Sequence, residues 1–544
     1  MSETLEMRKL FWQLREVMLG NRSLRGKSDT PDAKGLIDQA SYDVIEVDNL
    51  LEVVDHTQTL VGKDVMHKAF SQQMLTPDEI KAKQHALQEL VDDDELRQGI
   101  EALLKTAATH EDSFYRLLFS EFVGFFFSPN RKKLEQPGYG YRVYKEAMRF
   151  LPGVVTHAEK IKPPKSIYLK NLLSDLAEFA TKRECKLMNG PVYKFFDKFL
   201  LASEKKTIQP AIKFRLTLFK PLLLPLLLLP TIAIPYVLTT TLGQFTVLSA
   251  LPVMLMLFYI PIVCEFDNSS FIVPLKQIYA GSADVERVVQ VIGQLDELMS
   301  YHRYAEKNVH NVILPTIKVA NRHCIQVEGA VNPVLGLSDE TYVPNNFDSS
   351  QHNLSFFTGP NSGGKTAFCK TLAQIQLLSQ IGCYIPADSA TLTVADRVYY
   401  QTPEINSLDQ DVGRFGTELK RTRNIFTAAT PHTMVILDEL AEGTTHKEKI
   451  ETSLMILEAF KRLGSLTILV THNHELAEHY LEGNQALCRQ VEFDGQKTTH
   501  RFIDGISVTS HANIVANYVG FSKNDIESLL KEKLIAINAT DTPQ

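Results

Sequence analysis

Positive charge is not in excess in this sequence: 57 Lys and Arg stand against 64 Asp and Glu, a net charge of −7. That excludes a surface uniformly coated with cations for nucleic acid, though not a local basic face. Cysteine is scarce and unpatterned. Cys185, Cys264, Cys324, Cys369, Cys383 and Cys488 form no C-x-x-C pair and no repeated spacing. A disulfide frame and a zinc site are excluded, and reduced intracellular thiols are expected. Residues 1–15 carry Glu3, Glu6, Arg8 and Lys9 and lack the apolar run of a secretory signal. The largest absence is internal. None of the 44 residues 221–264 has a charged side chain.

That charge-free stretch reads as a hairpin: an apolar piece at 221–238, a polar turn at 239–244, and a second apolar piece of 20 residues at 245–264. Twenty helical residues cover about 30 Å, the thickness of a bilayer core. Lys205, Lys206, Lys213, Arg215 and Lys220 precede it, so both ends are expected on the cytoplasmic side. The expectation is a two-pass transmembrane hairpin anchoring a cytoplasmic domain to the membrane. A membrane-surface or re-entrant hairpin and a buried soluble hairpin are the other readings, and the six prolines of the run are costly in any of them.

Around the hairpin the chain divides by pattern. Residues 1–210 read as a mostly helical domain and 269–311 as a helical return segment. From about 312 to 544, short β-like runs alternate with helices, as in an α/β nucleotide-binding domain with a helical tail. The expected fold class is therefore α plus α/β.

The chemistry is concentrated in this last part. The apolar run Leu354-Ser355-Phe356-Phe357 leads into Thr358-Gly359-Pro360-Asn361-Ser362-Gly363-Gly364-Lys365-Thr366. This satisfies G-x-x-x-x-G-K-[ST] between a strand and a helix. Glycines let backbone N–H groups close around phosphate oxygens, and the following helix N-terminus adds positive partial charge. Lys365 is expected on the β- and γ-phosphates of ATP, with Thr366 on Mg²⁺. A second apolar run, Met434-Val435-Ile436-Leu437, ends in Asp438-Glu439. Asp438 suits Mg²⁺, and Glu439 suits the base that directs the attacking water. A third run, 466–470, ends in Thr471-His472. His472 is either a γ-phosphate sensor or an ordinary structural histidine.

The wording of these motifs resembles the MutS mismatch-repair ATPases. The block 358–366 is similar to their TGPNxGGK[ST] loop, and Leu437-Asp438-Glu439-Leu440-Ala441-Glu442-Gly443-Thr444 to their MDExxxGT. Ile381-Gly382-Cys383-Tyr384-Ile385-Pro386-Ala387 resembles IGxYVPA, and Val470-Thr471-His472-Asn473-His474-Glu475-Leu476 resembles ATHxxEL. The likeness is continuous from about 320 to 530. Upstream it is weaker, carried by Thr57, Thr59, Gly62, Leu75-Thr76-Pro77 and Lys83-Gln84, the last with lysine where the family has arginine. The resemblance implies an ABC-type P-loop ATPase domain behind a helical core and lever, a homodimer, and a role with mismatched DNA. It also implies adenine stacking on Tyr342, for which an ordinary strand tyrosine is the other reading. The family's mismatch-reading and connector domains have no counterpart here, and its S-T-F-x-x-E segment becomes Gly413-Arg414-Phe415-Gly416-Thr417-Glu418. Either Arg414 substitutes as a cationic contact to the γ-phosphate of the partner subunit's ATP, or that contact is weaker here. Two functions follow: a membrane-tethered ATPase handling DNA, or a membrane-associated ATPase acting on a protein partner without DNA. An exporter half fits poorly, for want of spans and of an LSGGQ-like signature.

Overall fold

The computed structural model describes residues 35–71, 76–124, 138–206, 210–214, 261–403, 413–441, 445–481, 483–494, 498–507 and 520–540, together with Leu14, Ala233 and Tyr259. The chain groups into two compact units: one of residues 1–26, 51–73 and 78–307, the other of 27–50, 74–77 and 308–544.

The first unit is largely helical. The labels used below are α1 (Gln39–Ile45), α2 (Leu60–Ser71), α3 (Pro77–Asp92), α4 (Asp94–Phe119), α5 (Phe150–Ala158), α6 (Ile167–Thr181) and α7 (Ala283–Lys307). All but α1 lie in this unit. The long helix α4 starts on Asp93, whose side chain accepts from Leu96 N, and carries Asp94 and Glu95 in its first turn, where the helix dipole favours acid. Leu96, Ile100, Leu103, Leu104 and Ala107 recur at helical spacing and are buried. Helix α4 packs on α5 and α7, and α7 packs on α2 and α6. A small three-stranded antiparallel sheet pairs Tyr193–Phe195 with Lys198–Leu200 and Ile212–Lys213.

The expected transmembrane hairpin, and with it membrane anchoring, is corrected. No helix among the described residues is long and apolar enough to cross a membrane. Within 221–264 only Ala233, Tyr259 and 261–264 are described, and the rest of the expected hairpin lies outside the described residues. The described end runs into helical residues carrying Glu265 and Asp267, and Asp267 is buried and accepts from Tyr141 Oη at 2.7 Å. A charge-free composition is not a span. A span needs about 20 residues of unbroken helix, and each proline in the run removes a helix hydrogen bond.

The second unit is a layered α/β domain. Its strands are β1 (Thr316–Lys318), β2 (Ile325–Ala330), β3 (Asn345–Asp348), β4 (Leu354–Thr358), β5 (Ser389–Thr393), β6 (Val398–Gln401), β7 (Met434–Asp438), β8 (Leu466–Val470), β9 (Leu487–Phe493) and β10 (Thr498–Asp504). Its helices are α8 (Lys365–Gln380), α9 (Gly413–Ala428), α10 (His446–Leu463), α11 (His474–Leu481) and α12 (Lys523–Thr540). The main sheet has the order β6-β7-β8-β4-β9-β10, parallel except for the β9–β10 pair. Strands β4 and β8 are buried along their whole length, as apolar runs covered on both faces must be. Four further strands form a second sheet, β1-β5-β2-β3. Leu354, Phe356, Val435, Leu437, Leu457, Phe460, Leu469 and Tyr480 meet in the core between sheet and helices. Residues 36–46 also belong to this unit. Leu36 O accepts from Val398 N at 2.8 Å, and Ile45 O accepts from Gln374 Nε2 at 2.9 Å.

Candidate functional site

Strand β4 sits between β8 and β9, so the loop that follows it opens at the carboxyl ends of the central parallel strands, where such sheets hold ligands. The loop turns through a short 3-10 helix, Asn361–Gly363, and enters α8 on Gly364, which offers no side-chain cap. The first N–H groups of α8 are therefore left for a ligand. Two glycines are required here for different reasons. Gly359 has φ 127, a conformation other residues avoid. A Cβ on Gly363 would come within 2.5 Å of Val491 Cγ2 on β9. The loop is thus pressed on its neighbour strand.

Lys365 folds back over this loop. Its Nζ donates to Gly359 O at 2.7 Å and Pro360 O at 2.9 Å. Burial draws its ammonium down to about 8, against the opposing pull of Asp438 and Glu439. Thr366 Oγ1 donates to Asp438 Oδ2 at 2.8 Å. Burial pushes the Asp438 carboxyl above its ordinary value, while the Thr366 bond and Lys365 hold it down. Behind Asp438 lie the buried Cys369 thiol and Tyr400 phenol, both driven well above their ordinary pKa by burial.

Strands β7 and β8 are adjacent, with Asp438 opposite Val470. Their ends bring Glu439 and His472 together, Nε2 to Oε1 at 3.2 Å. Burial lowers the His472 pKa, Lys365 adds to the effect, and Glu439 opposes it, so the ring is neutral at pH 7. Glu439 and Ala441 both take left-handed backbone, φ 58 and φ 61. For non-glycine residues this costs of order 1–3 kcal/mol each and persists only where surroundings enforce it. One enforcing contact is visible: Ala441 N donates to Glu418 Oε1 at 2.5 Å.

The structure thus brings together Gly359, Pro360, Gly363, Gly364, Lys365, Thr366, Asp438, Glu439 and His472. Ser362 is exposed at the loop tip, and the Asn361 side chain lies outside the described residues. Tyr342 lies in the irregular segment before β3, against α8. It is half-buried beside Thr371, a turn and a half beyond Thr366, and burial raises its phenol. Asn332 Nδ2 donates to the same Thr371 hydroxyl at 2.9 Å. Arg414 falls in the first turn of α9, and its side chain lies outside the described residues, as do 442–444 and 508–519. Sequence reasoning passed over Glu418 and Lys449 as site residues. The Glu of the altered signature segment was the signal for the first, and nothing local signalled the second.

Among the described residues no three His, Cys, Asp or Glu side chains group as a metal cage. The donors present, one hydroxyl and one carboxylate, suit Mg²⁺, which takes few protein ligands and completes its shell with water and phosphate oxygens.

The MutS domain V family model matches residues 355–530. Over these residues the chain is similar to the MutS family. It is 28% identical over 270 residues to the DNA mismatch repair protein MutS of Shouchella clausii, covering 47% of this chain and 30% of that protein. It is 31% identical over 253 residues to the DNA mismatch repair protein MutS of Alkaliphilus metalliredigens, covering 44% and 28%. It is 29% identical over 287 residues to the DNA mismatch repair protein msh3 of Aspergillus terreus, covering 48% and 25%. The likeness to MutS proteins therefore spans less than a third of each relative's own length.

Proposed function

We propose that this chain binds Mg²⁺-ATP on the 359–366 loop and hydrolyses it to ADP and phosphate. The observation that carries this reading is the pairing of Glu439 with His472 at 3.2 Å beside the Thr366–Asp438 bond at 2.8 Å, at the mouth of a phosphate-shaped loop. Lys365 exchanges the carbonyls of Gly359 and Pro360 for phosphate oxygens. The loop N–H groups and the α8 N-terminus take the rest of the phosphate charge. Thr366 and Asp438 would hold Mg²⁺, which when bound neutralises charge on the phosphate oxygens. Glu439 accepts a proton from water as its oxygen attacks the γ-phosphorus, and the bond to the bridging oxygen of ADP breaks. His472 orients Glu439 and is assigned the contact to the γ-phosphate. Tyr342 and Arg414 are assigned to adenine and to the partner subunit's ATP. The Glu439→Gln variant is expected to bind ATP with little turnover, and unchanged turnover would contradict the reading.

The named relatives are DNA mismatch repair proteins, which supports a DNA-handling role in repair, with ATP hydrolysis driving the movement. Two copies of the chain would act together. Helix α12 supports the dimer, since Ile526, Leu529, Leu530 and Leu534 are exposed along it and Phe521 is exposed just before it. Removing 520–544 should lower the mass in solution to that of one chain. The net charge of −7 favours the second reading, an ATPase acting on a protein partner without DNA. A gel shift separates the two: DNA binding that falls steeply with salt indicates phosphate contacts, and no shift at low salt favours the protein partner.

A further inference from the structure

The residues that hold Glu439 in place lie on helices outside the phosphate loop, and they form a cluster of their own. Glu418, on the second turn of α9, is only 6% exposed. Its carboxylate accepts from Ala441 N at 2.5 Å, two residues past Glu439 and inside the turn whose φ values are left-handed. The backbone of Glu418 is fixed in turn. Its carbonyl accepts from Thr422 Oγ1 at 2.9 Å, and Gln401 Nε2, at the end of β6, reaches the same threonine at 3.0 Å. On the first turn of α10, the half-buried Lys449 feels the charges of both Glu439 and Glu418. On the other side Glu439 N donates to Val470 O at 2.9 Å, tying the turn to β8. The turn is therefore held at two backbone amides, one by a strand and one by a side chain.

We propose that Glu418 is a positioning residue for hydrolysis: it clamps Ala441 N, enforces the left-handed turn, and so aims the Glu439 carboxylate toward His472 and the phosphate loop. The clamp rests on the hydrolysis reading above. Because Glu418 rides on α9, whose first turn carries the altered signature segment 413–418, a shift of that segment is passed directly to the turn bearing the general base. Occupancy at the signature end of α9 and base alignment in the same subunit are thereby linked by one hydrogen bond.

The test uses the full chain with Glu418→Met, which keeps side-chain volume but leaves Ala441 N–H without its acceptor, and Glu418→Gln, whose amide oxygen still accepts. Affinity for a fluorescent ATP analogue, kcat, KM and the melting temperature are measured together. Glu418→Met should lower kcat roughly ten- to a hundredfold, the cost of a lost buried hydrogen bond and a relaxed turn, with analogue affinity within about threefold of wild type. Glu418→Gln should recover kcat to within about threefold of wild type. Wild-type kcat in Glu418→Met overturns the proposal. So does a parallel loss of nucleotide affinity and melting temperature, which marks a residue that merely supports the fold, and so does equal impairment of the Met and Gln variants. Equal turnover in wild type and Glu439→Gln strikes the hydrolysis reading itself. A normal block in Glu439→Gln beside an unimpaired Glu418→Met strikes the clamp alone.

Discussion

Both units bury charge, and they do so differently. In the helical unit every buried carboxylate described is answered by the fold. Asp296, on α7, accepts from Gln58 N at 2.8 Å, and from Thr59 N and Thr59 Oγ1 at 2.7 Å. Glu111, on α4, takes Leu60 N through both oxygens, at 2.9 and 3.1 Å. Two helices thus cap the N-terminus of a third, α2. Lys83 on α3 meets Glu297 on α7 at 2.8 Å, and Tyr301 Oη donates to the same carboxylate at 2.6 Å. In the α/β unit the charges of the candidate site stand instead at strand ends and a helix start, beside a loop of open N–H groups, and Asp438 and Glu439 are only half-buried. Lys365 rests on backbone carbonyls, and Glu439 rests on a neutral histidine. Burial of charge does not by itself mark function. Function shows where the partners a charge has in the fold are weaker than those a ligand would bring.

The comparison breaks first at Lys83. If its pair is structural, Lys83→Met strands Glu297 in the core and destabilises the helical unit by about 3–5 kcal/mol, read by urea denaturation; a loss below about 1 kcal/mol would mean the pair is not needed. Next comes Glu111, whose carboxyl burial pushes up to about 8 from 4.5, with Asp296 adding to the rise. Between those values the folded chain keeps a proton that the unfolded chain releases, so stability falls as pH rises through the window. Wild type should lose a few kcal/mol between about pH 5 and 8. Glu111→Gln, permanently neutral, should show a flatter profile in thermal melts, and identical profiles would refute the assignment. On the other side, Lys365→Ala should weaken ATP binding by about a hundredfold, roughly 2.7 kcal/mol, while leaving the denaturation midpoint nearly unchanged. The smallest effect is Thr59→Val. It removes one hydroxyl bond to Asp296 and the bond from Gly62 N to Thr59 Oγ1 at 3.0 Å, and should cost about 1–2 kcal/mol.

The parts of the site that are contiguous in the chain were legible in the sequence. Residues 354–366 encode strand, loop and helix in one run. The apolar strands ending at Asp438-Glu439 and Thr471-His472 could be paired because parallel neighbours end on the same edge of a sheet. What was not legible depends on distant partners. No periodicity announces that Leu36 O will meet Val398 N, or that Glu418 will close on Ala441 N, since both contacts depend on how helices and strands stack. The stretch 221–264 misled for the opposite reason. Absence of charge is visible residue by residue, whereas a span also needs about 20 residues of continuous helix, which composition alone does not reveal. Lys83 was legible only as a departure from the family pattern, and its buried partner on α7 lies 214 residues away.

The most direct test of the account is a single-turnover measurement of ATP hydrolysis on wild type and Glu439→Gln, with nucleotide binding followed in the same samples. The account predicts equal ATP binding, with cleavage in Glu439→Gln slowed at least about a hundredfold. Equal binding with equal cleavage would contradict it.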